Sequence, residues 1–167
     1  DMKPNSAVFF DRDGTLNEDV GYLSGLDQLC FYPFSFEAIR RVNEAGMKAI
    51  VITNQSGVAR GFFEEGFIDV VHRRMREIMA EQRAFIDGFY YCPHGDDDGC
   101  TCRKPQPGLI LRAAQEWNAD LAASFLIGDD DRDIEAARRA GVRGVKIPSD
   151  GDLRDTLTQL LGTREEV

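Results

Sequence analysis

Short apolar runs alternate along this chain with longer stretches of helical period. Ala7-Val-Phe-Phe-Asp11, Lys48-Ala-Ile-Val-Ile-Thr53, Gly88-Phe-Tyr-Tyr-Cys92, Ser124-Phe-Leu-Ile-Gly128 and Val142-Arg-Gly-Val-Lys-Ile147 read as strands. Phe34 to Glu44, Glu64 to Ala84, Gly108 to Trp117 and Asp131 to Ala140 read as helices, and Asp152 to Leu161 as a short final one, after which the chain frays. In the second helix Phe67, Ile68, Val70, Val71, Met75, Ile78 and Met79 recur at three- and four-residue steps, which gives an apolar face to lay on a sheet. Gly46, Gly88 and Gly141 fall where a helix must stop before the next strand. The alternation predicts an α/β fold, a Rossmann-like parallel sheet of about five strands flanked by helices, in one domain over residues 1–167. The stretch from Asn17 to Pro33 has the weakest period and is expected to form a loop or small hairpin over the sheet edge.

Composition adds exclusions. With 167 residues, 43% hydrophobic and 29% charged, the chain is neither disordered nor fibrous. Its formal charge of −9 argues against nucleic acid or an anionic membrane surface as partner, while leaving room for a small phosphorylated molecule. No window approaches the roughly 18 apolar residues of a membrane span. The first apolar run, Ala7 to Phe10, follows no basic segment, so a cytoplasmic, reducing location is expected. Of the four cysteines, Cys92, Cys100 and Cys102 crowd beside His94 and Cys30 stands apart as a packing residue, too uneven a distribution for a disulfide framework.

The candidate chemistry lies where polar residues fall at strand ends. The first strand runs into Asp11-Arg12-Asp13-Gly14-Thr15 and the fourth into Gly128-Asp129-Asp130-Asp131-Arg132-Asp133. In an open α/β sheet, ligands sit outside the carboxyl ends of the strands. Two carboxylate clusters on neighbouring strands repel each other unless a cation lies between them, and oxygen-only ligands suit Mg²⁺. Either cluster alone reads more simply as a turn or a helix N-cap. Thr53-Asn54-Gln55-Ser56-Gly57 after the second strand changes that balance, because hydroxyl, amide and backbone N–H groups there can hold phosphoryl oxygens. Lys104 adds a point charge suited to phosphate. Separately, Cys92, His94, Cys100 and Cys102, spaced by two, six and two positions, offer the three sulfurs and one imidazole of a structural Zn²⁺ site. The intervening Asp96 to Gly99 cannot form a core, which disfavours a reading of these cysteines as buried thiols.

The order Asp-x-Asp-Gly-Thr, Thr-Asn, Lys, Gly-Asp-x-x-x-Asp, running from residue 7 to about 147, resembles the four signature motifs of the haloacid dehalogenase superfamily of phosphotransferases. The resemblance implies that Asp11 is the nucleophile, that Mg²⁺ is bound by Asp11, the backbone carbonyl of Asp13 and Asp129, and that Thr53 and Lys104 hold the transferred phosphoryl group. Asp13 is the implied general acid and base, with a pKa pushed upward by its anionic neighbours, and Asp133 supports Asp129 or the water shell of the metal. Only 42 positions separate Asp11 from Thr53, so a fold without a cap domain is expected, with substrate chosen by loops. Within the superfamily the chain is most similar to the histidinol-phosphate phosphatase-like subfamily. Details of its loops favour a small phosphorylated sugar, a bisphosphate, as substrate. The implied contacts are Arg12, Asp19, Val20, Gly21, Tyr22, Thr53, Asn54, Gln55, Ser56, Arg103 and Lys104, with Arg60 a further candidate. The zinc clip then fixes Arg103 and Lys104 at the mouth of the site. Histidinol phosphate is the alternative substrate, ahead of a polynucleotide 3′-phosphate or a non-catalytic zinc-stabilised binding module. A monomer without nucleic-acid or membrane partners is expected.

Overall fold

In a computed structural model, which describes residues 5–162, five parallel strands form one sheet. They are β1 (Ala7–Phe10), β2 (Lys48–Asn54), β3 (Gly88–Cys92), β4 (Phe125–Gly128) and β5 (Arg143–Lys146), in the order β3-β2-β1-β4-β5. The middle strand pairs Phe10 with Val51 on one side and with Ile127 on the other. The strand order reverses direction beside β1, which opens a crevice past its carboxyl end.

Five helices cover the sheet: α1 (Phe34–Glu44), α2 (Glu65–Glu81), α3 (Gly108–Trp117), α4 (Asp131–Ala140) and α5 (Leu153–Leu161). Every residue of β1 is inaccessible to solvent because the strand is buried on both faces, which is why it reads as an unbroken apolar run. Val8 and Phe10 pack with Ile39 and Val42 of α1, Val71, Met75 and Met79 of α2 and Leu153 and Leu157 of α5. On the opposite face Ala7 and Phe9 meet Leu109 and Ile110 of α3 and Ala136, Ala137 and Ala140 of α4. Between β1 and β2, and again between β2 and β3, the described residues hold loops and one α-helix, so the crevice carries no cap.

The expected elements are all present, with local differences. β1 stops at Phe10, which leaves Asp11 as the first residue beyond the strand. Gly46 and Gly141 end α1 and α4 with positive φ of 76° and 79°. Past α2, however, that conformation falls to Arg83, at φ 58°, and Gly88 instead begins β3, where a Cβ would stand 3.0 Å from the Trp117 indole nitrogen. Val70 of the apolar stripe faces outward, 39% exposed, while Ile68, Val71, Met75 and Met79 are buried. The segment from Asn17 to Pro33 is a loop with one 3-10 turn, Leu26–Gln28. It lies past the end of the middle strand and not at an edge, tied by isolated bridges from Asn17 to Asp13 and Phe31 and anchored by buried Leu16, Leu23 and Phe31. The expected frayed end lies outside the described residues. No helix among those residues is long and apolar enough to cross a membrane.

Because β1 is packed on both faces, it has little room to relax. Phe10→Ala is expected to destabilise the fold by about 3–5 kcal/mol, measured as a shift of the urea midpoint at unchanged slope.

Candidate active site

The turn after β1 is built by backbone hydrogen bonds. Asp11 N–H donates to the Ile127 carbonyl at 3.0 Å, and the Arg12 carbonyl accepts from Leu16 N–H at 2.9 Å. Gly14 adopts φ 87°, and a Cβ there would overlap the Asp129 carboxylate. Only glycine lets the loops after β1 and β4 approach so closely. Beside them opens a cleft of about 360 Å³. Its walls include Asp11, Asp13, Asp129 and Asp133 from the loops after β1 and β4, Thr53 to Ser56 from the end of β2 and the loop that follows, and Arg103 with Lys104. Asp19, Gly21 and Tyr22 line its mouth.

Lys104 organises the floor. Its side chain is 4% exposed, and the ammonium donates to Asp11 Oδ1 at 2.9 Å, the Ile52 carbonyl at 3.0 Å and Asp133 Oδ1 at 2.5 Å. Asn54 fixes the lysine backbone from both sides, accepting from Lys104 N–H at 2.9 Å and donating to its carbonyl at 3.2 Å. Asp133 thus anchors Lys104 and not Asp129, and its second oxygen accepts from Asp130 N–H at 3.2 Å. Asp11, Asp129 and Asp133 each bring a carboxylate oxygen within 4.8 Å of the others. Burial raises the Asp11 carboxyl well above its usual range, Lys104 opposes that, and the neighbouring Asp133 and Asp129 add to it. One lysine cannot neutralise three carboxylates in so small a volume. Lys104 holds Asp133 and one oxygen of Asp11, so the other Asp11 oxygen and the Asp129 carboxylate remain as donors that fit a hard divalent cation such as Mg²⁺.

Asp13 departs from expectation. Its carboxylate is gripped by Arg12, through Nε at 3.0 Å and Nη2 at 3.1 Å, and accepts from Asn17 Nδ2 at 3.0 Å and Gln55 Nε2 at 3.1 Å. Burial would raise its pKa, but the Arg12 charge and these donors outweigh burial and hold it below the ordinary value, so the expected upward shift is reversed. Gln55 Nε2 also donates to Thr53 Oγ1 at 2.8 Å, linking the two loops.

Arg12 itself is 1% exposed and lies outside the cleft lining. Its Nη1 donates to His72 Nε2 at 3.2 Å, which requires a neutral ring with its proton on Nδ1. Val20 and Arg60 also lie outside the lining; Arg60 sits over the Tyr22 ring at 5.8 Å, and Tyr22 stacks on Phe62 at 4.5 Å. Sequence reasoning passed over His72, Arg132 and Ser149. His72 could have been found, since it falls on the buried stripe of α2 between Ile68 and Met75, where a polar residue needs a partner. Arg132 lines the cleft and Ser149 bonds Asp129, but neither belongs to a periodic pattern.

Cys92, His94, Cys100 and Cys102 lie outside the cleft lining, next to Arg103 and Lys104, which belong to it. His94 Nδ1 is 3.4 Å from the sulfurs of both Cys92 and Cys102, Cys100 Sγ is 3.6 Å from Cys92 Sγ, and Cys102 Sγ is 2.8 Å from it. Tetrahedral zinc spaces such ligands by about 3.4–3.8 Å, which matches three of these distances and exceeds the fourth. Burial pushes the Cys92 thiol up. At Cys100 burial is outweighed by the N–H groups of Arg103 and Cys102, which lower the thiol to about 6 and favour the metal-binding thiolate. The donor set fits zinc. Arg103 is tied to the clip, donating to Asp96 at 2.8 Å and to the His94 carbonyl at 3.2 Å.

The HAD-hydrolase-like family profile matches residues 101–163. The chain belongs to the haloacid dehalogenase-like hydrolases and is a phosphoric monoester hydrolase. The D-glycero-beta-D-manno-heptose-1,7-bisphosphate 7-phosphatase of Pseudomonas aeruginosa is 40% identical over 150 residues, 89% of this chain and 84% of that protein. Its namesake in Rhodopseudomonas palustris is 43% identical over 147 residues, 84% of this chain and 82% of that one. The crystal structure of D,D-heptose 1,7-bisphosphate phosphatase from B. bronchiseptica, complexed with magnesium and phosphate, superposes with a TM-score of 0.82 at 37% identity, covering 92% of this chain and 86% of that one.

Burial, followed by the Arg12 charge, holds His72 down to about 3, against 6.5 for a free histidine. The unfolded chain therefore binds a proton below about pH 6.5 that the native chain refuses, and stability falls as pH drops through that window. At pH 5 the loss from this group is about 2 kcal/mol. His72→Gln, which keeps an acceptor for Arg12, is expected to flatten that part of the acid limb in urea unfolding measured from pH 4.5 to 7.5.

Proposed function

We propose that this chain removes the C7 phosphate of D-glycero-β-D-manno-heptose 1,7-bisphosphate, acting as a Mg²⁺-dependent cytoplasmic monomer on the route to the nucleotide-activated heptose of lipopolysaccharide core. The observation that carries this reading is the convergence of Asp11, Thr53 and Lys104 on one open cleft, with Asp13 beside them. The substrate and its β anomer come from the names of the relatives.

Mg²⁺ held by Asp11, the Asp13 carbonyl and Asp129 would neutralise charge so that Asp11 stays ionised beside an incoming phosphate. Asp11 attacks phosphorus in line, the bond from phosphorus to the C7 oxygen breaks, and Asp13 gives its proton to the departing alkoxide. Water then attacks the aspartyl-phosphate, returns a proton to Asp13 and frees Asp11 and inorganic phosphate. In the resting chain Arg12 keeps Asp13 ionised. A phosphate dianion arriving next to it raises its pKa, so the proton needed for the first step is taken up with the substrate. The Thr53 hydroxyl and the Lys104 ammonium receive the phosphoryl oxygens, and Asp133 keeps that ammonium in place. Arg103 and Arg132 line the cleft wall, paired with Asp96 and Asp130, and would turn toward a second anionic group to form a cationic pole there. A bisphosphate uses such a pole and histidinol phosphate does not, which favours the sugar substrate.

With Mg²⁺, the purified chain is expected to hydrolyse the heptose bisphosphate with kcat/KM at least ~10-fold above that for histidinol phosphate. Asp11→Asn is expected to abolish turnover. Equal or reversed rates would exclude the substrate, and an active Asp11→Asn would exclude the mechanism.

Zinc at Cys92, His94, Cys100 and Cys102 is proposed to hold Arg103 and Lys104 in register. Elemental analysis of protein purified without chelator should find about one zinc per chain, and stripping it should raise KM more than it lowers kcat.

A further inference from the structure

The segment after β5 returns to the candidate cation site. Ser149 Oγ donates to Asp129 Oδ2 at 2.6 Å, and Asp150 N–H donates to the Gly14 carbonyl at 3.1 Å, so this segment is clasped to the turn after β1. A Cβ on Gly14 would overlap the same Asp129 Oδ2 and stand 2.9 Å from Ser149 Oγ. That oxygen is therefore bonded by a hydroxyl on one side and pressed against backbone on another.

We propose that Ser149 is a positioning residue that commits one oxygen of Asp129 to the protein, leaves the other for the cation, and so favours Mg²⁺ over Ca²⁺. The inference rests on the reading of Asp129 as a cation ligand. Mg²⁺ demands near-octahedral geometry at short distances and keeps several waters, which a carboxylate binding through one oxygen permits. Ca²⁺ takes six to eight oxygens at longer distances and accepts both oxygens of one carboxylate. With Oδ2 held by Ser149, that second mode is disfavoured, because the carboxylate would have to turn or weaken the hydrogen bond to offer both oxygens. Releasing it lets the Asp129 carboxylate swing and offer both oxygens. Hydrogen-bond partners of ligating carboxylates commonly carry 10–100-fold in metal affinity. Ser149 itself is exposed in a loop, so removing its hydroxyl leaves no cavity in the core.

The test uses the full chain, desalted to remove magnesium without chelator so that the cysteine cluster is undisturbed. Mg²⁺ and Ca²⁺ are titrated separately by calorimetry into the wild type, Ser149→Ala, Ser149→Thr and Asp129→Asn. Ser149→Ala should weaken Mg²⁺ binding by about 10-fold or more while Ca²⁺ binding is unchanged or tighter, so that the preference between the ions narrows. Ser149→Thr, which restores the hydroxyl, should keep the wild-type preference. A Ser149→Ala protein with the wild-type ratio of affinities would overturn the inference and leave the role of Asp129 intact. Wild-type Mg²⁺ affinity in Asp129→Asn would overturn the metal-site reading and the inference with it.

Discussion

Everything at the carboxyl end of the sheet depends on the burial of one ammonium group. Lys104, 4% exposed, is held by Asp11 from the loop after β1, Asp133 from the first turn of α4 and the Ile52 carbonyl of β2. Desolvating a charge costs several kcal/mol unless geometry and hydrogen bonding compensate, so none of these partners can drift without exposing the others to that penalty. The lysine thereby fixes three elements relative to one another. It also leaves a local surplus, because Asp129 adds a third carboxylate to the same small volume. The chain-wide charge of −9 says nothing of this. The relevant balance is three carboxylates against one lysine, and it is what calls for a divalent cation.

The acidic run after β4 divides its labour. Asp129 is bonded by Ser149, Asp130 caps α4 by accepting from Arg132 N–H at 2.8 Å, Asp131 pairs with Lys146 at 2.9 Å, and Asp133 holds Lys104. Capping and the cleft divide this run between different residues: Asp130 caps α4, while Asp129 and Asp133 also line the cleft. The use of Asp130 as a cap explains how an acid is tolerated so close to Asp129. The cap takes its charge into hydrogen bonds with the first turn of the helix and with the Arg132 guanidinium, which keeps its pKa below the usual value despite partial burial.

The strands and helices are legible in the sequence because burial on two faces writes continuous apolar runs and burial on one writes a stripe. The motif residues are legible because they cluster at strand ends. What depends on side-chain direction is not. Arg12 could have faced the cleft or the interior, and its turn inward onto Asp13 and His72, with the donors Asn17 and Gln55, reverses the sign of the Asp13 shift. Its partner His72 is 60 positions away, and Ser149 lies 20 from Asp129, so no spacing rule connects either pair. The end of α2 is a similar case, since Arg83 takes a conformation that favours glycine while Gly88 is required for a different reason, the approach of Trp117.

A fold without a cap must discriminate with loops, and loops discriminate only if they are held still. Here the holding is done by cross-links between loops. Gln55 N–H donates to the Cys92 carbonyl at 2.7 Å, so the cleft-lining loop after β2 is tied to the first cysteine of the cluster. Asn54 locks the Lys104 backbone, and Arg103 hangs from His94 and Asp96. On the other wall Arg60, Tyr22 and Phe62 stack and join the loop before α1 to the loop before α2. Ordering a free loop costs roughly 1–2 kcal/mol per residue. Were that ordering left to the moment of binding, it would be drawn from the affinity for substrate. Built into the resting chain, it leaves the contacts of the cleft available to select the substrate. On the proposed function, the ties from Arg103 and the loop after β2 to the cysteine cluster would place that cluster among the determinants of what the cleft accepts.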